Sequence, residues 1–227
     1  EAARWVLERL EDGDLDRRLL LLEWVRLLLE RAPLIEPLGL KDILLRRASD
    51  PVAEVANKVT LCLAKAIEAD RDFGHQLALR LHEREETLVR RAMADVLTRL
   101  FRRLTWDALP LLDDMLTSDD EGVLAAASAT VGDVKYLDKE QWADRLRQLA
   151  DHPLAIVRRN LVPNLREYIE FDPADSRGLF HQLWKDGDEV VRTRLRELML
   201  RMEEVAPDRF AAPVSYTHLT LPTRLMV

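Results

Sequence analysis

The residues able to do chemistry in this chain are few and scattered. A metal site needs histidine, cysteine and carboxylate side chains brought onto one face, most simply by helical spacing. The histidines, His75, His82, His152, His181 and His218, lie on different stretches, and only His75 and His82, seven apart, could share a face. Cys62 is the one cysteine, with no histidine close by in sequence; within its apolar stretch it reads as a small buried hydrophobe. Seven glycines in the whole chain leave no glycine-rich phosphate loop and no nucleophile elbow. The acidic doublets Asp113-Asp114 and Asp119-Asp120 read as turn and cap residues rather than a general acid/base pair. These residues point to no enzyme, cofactor or metal site.

Bulk properties narrow the classes further. Lys plus Arg is 34 against Asp plus Glu at 41, a formal net charge of -7, with a pI near 5.4. Such a balance gives no global attraction to nucleic acid or to an anionic membrane. The longest apolar stretch, 19–29, is interrupted by Glu23 and Arg26, well short of the roughly 18 residues that span a bilayer. No signal peptide opens the chain. The lone cysteine fits a reducing cytoplasm, and an arginine excess over lysine of 28 to 6 fits a GC-rich, bacterial-type genome.

The elements show through as a repeat. Val55, Val89, Val123, Val157 and Val191 stand 34 apart, with Leu21 one period earlier. Four residues on come Val25, Val59, Met93, Ala127, Leu161 and Leu195; four further come Leu29, Leu63, Leu97, Val131, Leu165 and Met199. In a chain that is 48% hydrophobic, all eighteen would be apolar by chance about once in 10⁶ tries. Steps of four put these residues on one helix face. Helices are expected at 2–10, 15–31, 37–47, 52–68, 73–82, 87–103, 106–116, 121–137, 139–150, 153–170, 176–184 and 189–204, with another begun at 208–213. Turn chemistry separates them, as at Ser49-Asp50-Pro51 and Asp186-Gly187-Asp188. Nothing alternates with a period of two. The expected fold is all-α, about six helix pairs of period 34, forming a single domain over 1–213.

The segments ETLVRRAMADVL, LAIVRRNLVPNL and DEVVRTRLREL resemble the second helix of HEAT repeats, in the armadillo/HEAT-like α-solenoid family. Arg90, Arg158 and Arg192 stand at the consensus arginine; Asp50 and Asp186 stand at the turn aspartate, five residues before Val55 and Val191. Arg84 replaces that aspartate in the third copy, and Ala56 and Leu124 replace the arginine in two copies. The resemblance spans about residues 15 to 213. It implies a right-handed α-α superhelix whose second helices line the concave side. It also implies an arginine–aspartate ladder between turns, with Asp50, Arg90, Arg158, Asp186 and Arg192 structural. A HEAT-like alkylpurine DNA glycosylase shares this architecture and uses a cationic concave surface with aromatic side chains and a catalytic Asp. Trp106, Trp142 and Trp184 lie on first helices instead, and no aspartate falls on a family motif. The sensor arm of a larger multidomain ATPase is a further alternative.

Outside this pattern lies 214–227. Its stretch VSYTHLTLPT resembles a translated sequencing-library adaptor, so a non-native tail is expected there, on a metagenomic fragment of a longer chain; Tyr216 and His218 carry no function in this reading.

If each helix buries its positions 0, +4 and +8, then +2, +6 and +10 face the groove. Those positions hold Asn57, Leu61 and Lys65; Arg91, Asp95 and Arg99; Ala125, Ala129 and Asp133; Arg159, Pro163 and Glu167; Thr193, Glu197 and Arg201. Asn160 and Arg194 flank them. The spacing also allows charge pairs Arg91-Asp95-Arg99 and Glu197-Arg201 along single helices. The stretch GVLAAASATVG, 122–132, is small and uncharged, which predicts a shallow depression rimmed by Arg91 and Arg159 for a partner's bulky side chain. The binding candidates are therefore Asn57, Arg91, Asp95, Ala125, Ala129, Arg159, Asn160 and Arg194. A mixed-sign face favours a protein or peptide partner over nucleic acid, and the expected role is a non-catalytic scaffold.

Overall fold

A computed structural model of the chain describes residues 1–11 and 13–205. The expected non-native tail and the helix begun at 208–213 lie outside the described residues. No strand occurs among the described residues, and the helices cluster into two compact units, Glu1–Asp133 and a second beginning at Val134.

The first unit opens with α1 (Ala2–Glu11) and α2 (Leu15–Leu28), then a single turn α3 (Ala32–Ile35) and α4 (Leu40–Ala48). It continues through α5 (Ala53–Thr60), α6 (Leu63–Ala69), α7 (Arg71–His82) and α8 (Thr87–Leu104). A 3-10 segment, Thr105–Ala108, then leads into α9 (Leu109–Met115) and α10 (Glu121–Thr130). The second unit holds α11 (Lys139–Ala150), α12 (Ala155–Leu161), α13 (Leu165–Phe171), α14 (Pro173–Trp184) and α15 (Glu189–Val205). Helix starts follow from caps: the carboxylates of Asp14, Asp70, Asp120, Asp138 and Asp172 each accept from backbone N–H groups of the first turn.

The apolar period is the core. Seventeen of the eighteen repeat positions are buried, and Met199 is half-buried. Second helices stack directly on one another, α2 on α5, α5 on α8 and α8 on α10 in the first unit, α12 on α15 in the second. At about 1.5–3 kcal/mol for each fully buried aliphatic side chain, this row dominates the stacking energy. First helices close the other side; α7 meets α6 so closely that a Cβ on Gly74 would stand 2.6 Å from the Ile67 Cα, so only glycine fits there.

Three second helices are interrupted part-way along, while α8 and α15 run unbroken for 18 and 17 residues. The expected helix 52–68 breaks at Leu61-Cys62, where Thr60 Oγ1 donates to the Asn57 carbonyl at 2.7 Å and the chain tightens to i+3 bonding. The expected helix 121–137 passes into a 3-10 segment, Val131–Tyr136, after Ser128 and Thr130 hydroxyls donate to the Ala125 and Ala126 carbonyls. Hydroxyls that bond back to the preceding turn compete with the helix ladder and bend it. The expected helix 153–170 is split by a 3-10 turn, Val162–Asn164, around Pro163, which has no N–H to give.

Candidate partner-binding face

All fifteen residues at +2, +6 and +10 of the second helices escape burial. The periodic core thus leaves a periodic outer row; six of the eight sequence-derived candidates occupy its positions, with Asn160 and Arg194 beside it.

In the first unit, Asn57 is half-buried, Asp95 and Ala129 are exposed, and Ala125 is half-buried. Arg91 does not pair with Asp95. Its guanidinium turns to the next repeat and grips Asp120 through two bonds, Nε to Oδ1 at 2.9 Å and a terminal nitrogen to Oδ2 at 2.8 Å. Asp120 is also the N-cap of α10, accepting from the Val123 N–H at 3.0 Å. The Arg91 guanidinium, helped by that N–H, holds the Asp120 carboxyl down at about 2. Gly122 makes room for the clamp: a Cβ there would lie 3.1 Å from Arg91 Nε.

The second unit repeats this arrangement 68 residues on. Arg159 grips Asp188 through Nε at 3.0 Å and a terminal nitrogen at 2.6 Å, while Asp188 accepts from the Val191 N–H at 3.0 Å. Arg159, with that N–H, holds Asp188 at about 2. Asn160 is half-buried and its carbonyl accepts from the Asn164 side-chain amide at 3.2 Å. Arg194 donates to the Arg159 carbonyl at 3.4 Å. Pro163, four residues beyond Arg159, cannot supply the usual helix donor, so Arg194 occupies the vacancy. Glu197 and Arg201 approach at 4.0 Å, the one expected same-helix charge pair found in contact.

The ladder residues behave less uniformly than the HEAT pattern implies. Arg158 follows it: two bonds to Asp186 at 2.6 and 2.8 Å, and two more to the carbonyls of His152 and Pro153. Arg90 reaches past the turn to Asp114 at 3.0 Å, and Arg192 stays within its own repeat on the Asp186 carbonyl and Glu189. Asp50, its side chain 1% exposed, takes Arg18 at 2.7 Å and Arg47 at 3.0 Å. Burial pushes the Asp50 carboxyl up, but the Val52 N–H, Arg18 and Arg47 outweigh it and hold it below the usual carboxylate range. Arg84, standing where the pattern has an acid, inverts the ladder: it donates back to the Ala48 and Asp50 carbonyls and pairs with Glu86. The alternation of Arg91 and Arg159 with Asp120 and Asp188, each pair 29 apart, was visible in the sequence as paired offsets; a search within single helices passes over it.

Trp142 is buried edge-on to Tyr168 with centroids 5.7 Å apart, Trp184 lies under Arg196, and Trp106 is exposed in its 3-10 turn. The Cys62 thiol is buried and pushed up to about 12 by desolvation. Among the described residues no group of three histidine, cysteine or carboxylate side chains is placed to hold a metal, and no helix is long and apolar enough to cross a membrane.

No protein-family model matches the chain, and no curated protein does. Solved structures match its fold. A designed armadillo repeat protein in complex with the peptide (KR)4 superposes with a TM-score of 0.59 at 14% identity, covering 88% of this chain and 99% of that one. Computationally designed armadillo repeat proteins for modular peptide recognition give 0.55 at 14%, covering 87% and 98%. A further designed armadillo repeat protein gives 0.55 at 14%, covering 86% and 97%. The fold is that of armadillo/HEAT-like helical repeats.

Proposed function

We propose that this chain is a non-catalytic binding module that engages a protein or peptide partner along the outer row of its second helices. The observation that carries the reading is the division of labour within those helices. Positions 0, +4 and +8 are taken up by the core, charged side chains such as Arg18, Asp50, Arg158 and Asp186 are taken up by repeat-to-repeat pairs, and +2, +6 and +10 escape burial. A surface of that kind offers contact area and polar groups without a nucleophile, an acid/base pair or a phosphate loop. The similar armadillo designs named for peptide recognition support it at the level of architecture.

Arg91, Arg159 and Arg194 enter this reading as residues that fix the spacing of the row rather than as free donors, since each is already bonded. Asn57, Asp95, Ala125 and Ala129 are the contact candidates of the first unit, and Asn160 of the second. The test is selection from a displayed peptide library against the whole chain, followed by amide exchange with the selected peptide bound. Protection concentrated in α5, α8 and α10, or in α12, α13 and α15, is the expected result. Protection confined to first helices would overturn the proposal.

A further inference from the structure

Resting on the same outer-row reading, we infer that the first unit accepts an acidic amphipathic peptide segment, apolar side chains on Leu27 and Leu61 and carboxylates on the arginines beside them. Leu27 and Leu61 hold the same place in consecutive repeats, and they are 55% and 53% exposed. Trp24, 42% exposed, extends the apolar strip along α2. Leu61 is presented at the break between α5 and α6, where i+3 bonding from the Leu61 and Cys62 N–H groups turns the helix surface.

The helices bearing these residues lie side by side in register. Glu23 pairs with Lys58, Glu30 approaches Lys65 at 3.6 Å, and Glu68 pairs with Arg103, each partner 35 residues on. Next to the apolar strip stands a cationic row. Lys65 and Arg99 share the +10 position, Arg31 stands at the same offset in sequence just past the end of α2, and Arg102 follows on the outer side of α8. Lys65 lies between Glu30 and Glu68, but Arg31, Arg99 and Arg102 are exposed and make no ion pair among the described residues.

Charge is segregated at the level of helices too. Helix α8 carries five arginines against Asp95, whereas α9 carries Asp113 and Asp114 and no cation. Unpaired guanidiniums beside exposed leucines fit carboxylates interleaved with apolar side chains. A phosphate track fits poorly, because Leu27 and Leu61 interrupt it and Glu30 and Glu68 stand within it. A basic peptide of the (KR)4 kind meets like charge at Arg99 and Arg102.

Binding of three fluorescent peptides of equal length to the full chain tests this by anisotropy: alternating Leu/Glu, alternating Leu/Lys and alternating Ser/Glu. The Leu/Glu peptide should bind at least about tenfold more tightly than either of the others. Leu27→Ser with Leu61→Ser should weaken it at least about tenfold through lost apolar contact. Arg99→Glu with Arg102→Glu should invert the preference toward Leu/Lys. All four positions are exposed, and melting curves verify that the variants fold. Equal or tighter binding of Leu/Lys, with protection on second helices, would overturn the acidic-partner inference and leave the outer-row function standing. Binding of labelled duplex DNA in place of all three peptides would overturn both, and failure of Leu/Glu to bind would overturn the inference.

Discussion

At the scale of single residues, charges in this molecule are spent on geometry. Asp50 is the clearest case, since its buried carboxylate collects Arg18, Arg47 and the Val52 N–H. Replacing one partner of a buried pair strands the others. Asp50→Ala is expected to cost about 3 kcal/mol in urea unfolding, the low end for such lesions because both guanidiniums keep some water contact. Asp50→Asn should cost less, because its amide oxygen still accepts from Val52. His82 gives a pH signature. Burial lowers its pKa although Asp114, 3.3 Å away, pulls it up and Arg90 pushes it down. A histidine depressed in the folded state binds its proton more readily when unfolded. It therefore withdraws stability as pH falls below the usual histidine value of about 6.5. Thermal melts between about pH 5 and 7 should show a decline that His82→Gln flattens. Further down, Glu86, Asp120 and Asp188, held at about 2 by Arg84, Arg91 and Arg159, add stability above the ordinary carboxylate range. That contribution is lost as pH drops toward about 2.

At the scale of elements, the interruptions are as informative as the helices. Pro163 removes the donor that the Arg159 carbonyl expects, and Arg194 replaces it. In a double-mutant cycle Arg194→Ala should destabilise the natural protein and have little effect in a Pro163→Ala background, where α12 and α13 can join. Thr105 shows the other kind of break. Its φ of 55° places a β-branched residue in a region that side chains avoid. Thr105→Gly should raise the melting temperature, by an amount corresponding to about 1–3 kcal/mol of relieved strain. How much of this was legible in the sequence follows from the physics. Val55 through Val191 announced the second helices because burial at a fixed period leaves an unmistakable apolar record. Pro163 marks a bend through its missing N–H, but the 3-10 turn that splits the expected helix 153–170 is more than a lone proline announces. The break at Thr60-Leu61 was not legible, because a hydroxyl bonding to its own helix changes neither hydropathy nor periodicity. Arg91 and Arg159 occupy +2 positions of their helices, but their engagement with Asp120 and Asp188 depends on the distance between stacked helices, which no single-helix pattern contains.

At the scale of the whole molecule, stability in a helix-pair repeat accumulates from neighbours, so damage stays local. Asp186→Ala removes both bonds to Arg158 and the bond to the Asp188 N–H. It should lower amide protection in α12 and α15, with α11 far less affected, as exchange mass spectrometry would register. One buried atom makes such openings readable without any added probe. The Cys62 sulfur sits behind α2, 3.9 Å from the Leu22 carbonyl, with its proton held to about 12. At neutral pH it is therefore inert to alkylating and disulfide reagents for as long as α2 and α5 remain stacked. Its modification rate is a clock on the parting of the first two repeats. It should run faster in Asp50→Ala, and slow when a ligand seated across Leu27 and Leu61 staples those repeats together.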